Sequence, residues 1–379
     1  MRRVSHFLGC LALGCASAPA PIDGGNDAAS MVIDGGADAS AALDGGLDAP
    51  APSDASRSID AGPPDAILSY VTLDVPDGGA IGADDITFGH RIGRVLLPTS
   101  EALQLYDPTS RALSVVHGFG ASIGFDAGTP HGVAGTTSAD DGAGVAFAID
   151  RRSQMLAVVD TTALAITFWT PLASQPDIVR TVSASNEIWV TEPTAVQIEV
   201  FSISASAAPA HAAFVSTPLG CEALAIDAPN GRAYTNSGAS TLGIDTSSHA
   251  IATTWPNGCA HAHGLVVDPR GLLVVDCNEG HLQVLDAAHA GAQLSQLTIP
   301  VGTDLIDLDP SLGHVYVAAP DGSLSVASLD ASGTLALLGT LAEGTTARAV
   351  ASDGAGHVYL IDAPTHRLAV VSDPWPSSL

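Results

Sequence analysis

The chain has 379 residues, 40 of them acidic and 13 basic, for a formal net charge of −27 at pH 7. Such acidity argues against nucleic acid as a partner, and an anionic membrane surface would repel it, which leaves a lipid anchor as the route to a membrane. With 46% hydrophobic residues, 39 Gly and 24 Pro, and no long stretch keeping a helical period, the pattern favours short punctuated strands over helices.

Residues 1–15 carry Arg2 and Arg3, then an apolar stretch running into Leu11, Leu13, Gly14 and Cys15. It is too short to span a bilayer but suits a signal peptide. The stretch resembles a bacterial lipoprotein signal with Cys15 as the lipidated residue, although Leu11 stands four residues ahead of Cys15 rather than three. That resemblance implies a cell-envelope protein, at the periplasmic face of the outer membrane or on the cell surface. Residues 16–66 repeat Asp-Gly-Gly units and hold nine Asp against one Arg. Too little apolar surface is present to offset ordering entropy, so a disordered, self-repelling linker is expected. Its r.m.s. reach would be roughly 40 Å. Calcium binding is the alternative for such repeats, but spacings of 11 and 10 residues fit neither an EF-hand loop nor a nine-residue β-roll.

From residue 67 onward one unit recurs. It is clearest at 259–286, where apolar runs 264–267, 272–275 and 282–285 are separated by Asp-Pro-Arg-Gly and Asn-Glu-Gly. Aligned on its first strand it appears at 222–227, 263–268, 304–309 and 348–353, in steps of 41, 41 and 44 residues. Arg180 opens an earlier copy, Gly135 another and Asp85 the first, with a Gly-rich insertion at 107–144. A period of about 40–45 residues marks a propeller blade. Residues 67–379 accommodate seven, so an all-β, seven-bladed β-propeller is expected, as a monomer. The last copy is short, and Asp-Pro-Trp-Pro after residue 371 cannot extend a central strand. Residues 68–75 can supply the missing strand and close the ring.

Several phrases resemble the YncE-like (YVTN-type) seven-bladed propellers. They are Asp84-Asp85-Ile86, Gly135-Thr136-Thr137, Pro176-Asp177-Ile178, Glu187-Ile188-Trp189 with Gln197-Ile198-Glu199, Glu222-Ala223-Leu224, and 259–277. The resemblance implies an exported module that binds or scaffolds a protein or small-molecule ligand. The alternative is a metal-assisted hydrolase of lactone type, by analogy with propellers that hold a divalent metal in the channel.

First strands line a propeller's channel, so the opening residues Asp85, Gly135, Arg180, Glu222, His263, Asp304 and Arg348 are expected to form a ring. Within it Arg180 would neighbour Glu222, and Arg348 would neighbour Asp85 across the closure. Such a ring is either a set of mutually satisfied charges or a polar mouth for a ligand. Cys259, His261 and His263 alternate and so share one side of an extended segment. With Glu222 or Asp304 they offer a candidate site for zinc or calcium, His261, His263, Glu222 and Asp304 being the ligands if Cys259 is oxidised. Export permits disulfides, and Cys259 with Cys277 is the expected pair, leaving Cys221 free. Gly120-Ala121-Ser122-Ile123-Gly124 matches a nucleophile-elbow pattern but lacks a helix after it. Arg151 and Arg152 read as a solvated pair on a turn, and Trp189 as a wedge between blades.

Overall fold

The computed structural model describes residues 68–75, 81–82, 84–120, 135–342 and 346–379. The expected signal stretch with Cys15, the expected linker 16–66 and most of the Gly-x-Ser-x-Gly motif lie outside the described residues. Seven four-stranded antiparallel sheets follow one another along the chain. Strands such as Val145–Asp150, Leu272–Cys277 and His314–Ala319 are buried at every position. Apolar runs with no polar alternate face require cover on both sides. Neighbouring blades supply that cover: Val274, Leu282 and Val284 of blade 5 pack with Val315, Val317 and Leu329 of blade 6. One central cavity touches the first strand of every blade, from Thr87, Asp140 and Thr181 through Ile226, Val266 and Asp307 to Ser352. The chain is a seven-bladed β-propeller.

The last blade draws its outer strand from the N-terminal side of the domain. Leu68–Thr72 pairs antiparallel with Arg367–Ser372, in the register Leu68↔Val371, Tyr70↔Ala369 and Thr72↔Arg367. Leu73 N–H continues the contact to the His366 carbonyl at 2.9 Å, and the Arg367 guanidinium lies 4.1 Å from the Tyr70 ring centre. The last blade is therefore short only in sequence.

Much of the acidity is spent on turns. Between the third and fourth strands of five blades, the carboxylates of Asp107, Asp160, Asp245, Asp286 and Asp330 accept backbone N–H bonds from residues two to four places on. An aspartate that satisfies its own turn in this way favours the reversal that a short hairpin needs. The inserted segment is narrower than the sequence suggests. Ala112–His117 completes blade 1 and Thr136–Gly142 opens blade 2, so the departure from the repeat is confined to 118–135.

A chain beginning at Asp77 lacks the closing strand and leaves Arg367–Ser372 with an unpaired edge. It should aggregate or melt far below a chain beginning at Ile67 in differential scanning calorimetry. Equal melting temperatures would show that the ring closes without this strand.

Candidate functional site

The pairing registers fix which residues occupy the first channel position of each blade. Gly89↔Arg94, Val182↔Glu187, Asp227↔Arg232 and Asp309↔His314 are equivalent pairs at the hairpin ends. Five residues earlier stand Asp84, Asp177, Glu222 and Asp304, and the same rule gives His263 and Arg348. In blade 2 the equivalent residue is Thr137, whose carbonyl accepts from Asp85 N–H just as Arg348's accepts from Leu305 N–H. The mouth layer is thus Asp84, Thr137, Asp177, Glu222, His263, Asp304 and Arg348.

Four of the seven ring residues expected from sequence occupy this layer, and three do not. Gly135 sits in a tight loop. A Cβ there would stand 1.7 Å from the Gly120 carbonyl oxygen and 2.3 Å from that of Ser100, so the position needs glycine for close approach and lines nothing. Asp85 and Arg180 lie deeper, joined by a two-bonded ion pair of 2.6 and 2.9 Å. Arg180 therefore faces Asp85 rather than Glu222, and Arg348 faces Asp304 at 3.4 Å rather than Asp85. Ser138 donates to the same Asp85 carboxylate and accepts from Val179 N–H at 3.0 Å, linking three blades.

Arg151 corrects the expectation of a solvated pair. Only 3% exposed, it reaches from the turn after Val145–Asp150 into the mouth. It pairs there with Asp84 at 2.6 Å and with Asp177, while its Nε donates to the Pro176 carbonyl. Nothing in the local sequence marked it, because Arg-Arg on a turn is usually a surface feature.

The mouth is crowded with carboxylates that feel one another. Burial pushes Asp177 well above the usual range. Arg151 opposes that shift, and the charges on Asp84, Glu222 and Asp304 add to it. A hydrogen bond from His263 Nδ1 to Asp304 at 3.0 Å raises the imidazole above 6.5. Burial works against that rise, and the charges of Asp304, Glu222 and Asp276 support it. Behind them Asp276 is driven by burial to about 7. Its Oδ1 accepts from Thr303, and its Oδ2 has no hydrogen-bond partner. A cavity of about 330 Å³ opens beside Asp84, Asp304 and Arg348, with Ile86, Ala349 and Ile361 as its apolar wall. Deeper in the channel a second cavity of about 370 Å³ is lined by Asp85, Asp140, Arg180 and Asp307. Burial raises Asp140 and Asp307 to about 6, against the pull of Arg180 and of backbone N–H donors.

The proposed metal ligands are not drawn together. His261 Nδ1 lies 3.9 Å from Glu279, away from the His263–Asp304 pair, and its side chain is 74% exposed. Among the described residues the one group of close donor atoms is Cys259, Cys277, Glu279 and His281. There Cys259 and Cys277 are joined as a disulfide with Cα atoms 5.2 Å apart, so neither offers a thiolate. A loop of this length closes with a stabilisation of about 3 kcal/mol in the chain-entropy picture. Cys221 is a buried thiol, pushed by its burial up to about 12, and is inert as a nucleophile. Trp189 is fully buried, its Nε1 donating to Glu187 at 3.0 Å.

No family model matches the chain, and no curated protein matches it. Solved structures do. A chain of the "Crystal Structure of Mitotic Checkpoint Complex" superposes with a TM-score of 0.65 at 14% identity, covering 88% of this chain and 98% of that one. A chain of Kuenenia stuttgartiensis hydrazine synthase gives a TM-score of 0.62 at 12% identity, covering 80% and 97% respectively. At such identities the likeness is one of fold.

The channel acids predict a pH dependence. Asp276, Asp140 and Asp307 hold their protons more tightly folded than unfolded. Their contribution is complete below an unfolded value of 3.8 and lost as pH rises through about 6 to about 7. His263 has the same sign, its contribution being lost as pH passes above 6.5. The domain should therefore melt higher near pH ~5.5 than near pH ~8, and Asp276→Asn should narrow the gap because Asn cannot ionise. Calorimetry showing equal or reversed melting temperatures at the two pH values would contradict this.

Proposed function

We propose that the chain is a module of the cell envelope, of the YncE-like type, whose channel serves binding rather than catalysis, tethered through Cys15 and the acidic linker. Its ligand carries a positively charged group that enters the channel mouth. The observation that supports this most is the excess of carboxylate there: Asp84, Asp177, Glu222 and Asp304 against Arg151, Arg348 and the His263 imidazole. Arg151 is fully engaged within the wall. Asp304, its side chain 20% exposed, faces the cavity beside an apolar surface. A carboxylate next to an apolar wall suits an ammonium or guanidinium on a short hydrocarbon stem, in a small molecule or on a protein's side chain. The propeller fold commonly serves such binding roles, and the mitotic checkpoint structure belongs to a protein complex.

Isothermal titration of the propeller with n-butylamine, arginine methyl ester and a neutral isostere, n-butanol, tests the reading. The two cations should bind with affinities that fall as salt rises, and Asp304→Asn should weaken both by tenfold or more, while the alcohol stays unbound. Equal binding of alcohol and amine, or none by either cation, would overturn it. The tether is tested separately by fractionation. Cys15→Ser should release the protein from membranes, and unchanged membrane association would contradict lipid attachment.

A further inference from the structure

A second constellation lies well away from the channel, where the C-terminal tail crosses from blade 7 onto blade 6. His314 opens the second strand of blade 6, His314–Ala319, and Tyr316 follows on the same face. The tail begins at Asp373, directly after Arg367–Ser372. His314 Nδ1 lies 2.7 Å from Asp373 Oδ2, and His314 Nε2 lies 3.0 Å from Ser378 Oγ. Tyr316 donates to the same Asp373 oxygen at 2.6 Å, and Trp375 N–H reaches the other at 2.9 Å. The side chains of His314 and Asp373 are 0% exposed, whereas Ser378 is half-buried.

The chemistry of the partners assigns the proton. Burial works against ionisation of Asp373, but the bonds from His314, Tyr316 and Trp375 hold it below the usual carboxylate range. A carboxylate only accepts, so His314 Nδ1 must be the donor. In the neutral ring Nε2 then carries the lone pair, and the Ser378 hydroxyl donates to it. This is the arrangement in which an imidazole acts as general base to a hydroxyl while a buried carboxylate fixes its tautomer. The next residue, Leu379, lines a cavity of about 200 Å³ with Pro269, Leu308, Pro310, Gly313 and the mutually paired Asp268 and Arg270, which gives a mainly apolar group a place to rest.

We infer that Ser378, His314 and Asp373 form an activated-serine site that takes acyl groups from activated esters with an apolar portion. Ser378 Oγ attacks the ester carbonyl carbon as its proton passes to His314 Nε2. The bond to the alcohol oxygen breaks, and the alcohol leaves with that proton. Water, deprotonated by the same nitrogen, then releases the acid and restores the serine. The backbone limits what can react. Ser378 N–H donates to the Leu312 carbonyl at 2.8 Å and Leu379 N–H to Ser377 Oγ at 3.2 Å, so neither is free to hold an oxyanion. Substrates must therefore bring a good leaving group, and amides are excluded.

The test uses an alkyl fluorophosphonate, in which Ser378 Oγ bonds to phosphorus, fluoride leaves and the proton passes to His314. After reaction with the full chain, peptide mapping should find the adduct on Ser378 and on no neighbouring serine. Labelling should vanish in Ser378→Ala, persist in Ser377→Ala and fall at least tenfold in His314→Gln. Because His314 is buried, a further comparison covers the case of a misfolded variant: the wild type unfolded in urea should lose the labelling. No adduct on native Ser378, or equal labelling of native and unfolded chains, would show that the three residues only fasten the tail.

Discussion

Everything in this molecule depends on joining the first blade to the last. Five residue pairs between Leu68–Thr72 and Arg367–Ser372 do so, supported by the Arg367–Tyr70 stack. An open ring would expose two sheet edges and the apolar faces that blades present to one another. With the ring closed, each first strand is held beside its neighbours at a fixed height. That shared height lets residues up to 264 positions apart, Asp84 and Arg348, wall one mouth.

The closed ring then makes charge expensive to bury, and the protein answers in two ways. Arg151 and Arg180 are each enclosed and each paired with carboxylates from other blades, Asp84 and Asp177 for one and Asp85 for the other. Removing one partner of such a pair leaves a stranded charge, at a cost of about 3–5 kcal/mol. Where no arginine pairs with it, the carboxyl gives way instead. Asp276 rises to about 7 and keeps an oxygen without a partner. The wall is thus settled by arginine while the lumen stays acidic, and that residual field is what a cationic group would meet.

The fold was legible because its period survives in the sequence. Glu222, His263, Asp304 and Arg348 each precede an aspartate by five places, at Asp227, Asp268, Asp309 and Asp353, and this marker set their register correctly. Blades 1 to 3 lack it, ending instead in Gly89, the tight Gly142–Val145 reversal and Val182. Without the marker the register expected from sequence differs from the structure by one residue at Asp85, two at Gly135 and three at Arg180. Channel position changes with each such step, so a small slip misplaces a ligand-facing residue. Arg151 escaped notice because its role depends on a long side chain crossing between blades. The His314–Asp373–Ser378 set escaped because its members come from separate elements that only tail docking brings together.

The mouth carries more carboxylate than its arginines neutralise, and His263 reports the resulting field directly. Its imidazole sits between Asp304, which accepts from it, and the charge of Glu222. Titration of the ring resonances in histidine-labelled protein by NMR would measure that field. His263 should keep its proton to a pH above 6.5, and Asp304→Asn should lower the midpoint. A midpoint at or below the ordinary histidine value, unmoved by that substitution, would contradict this.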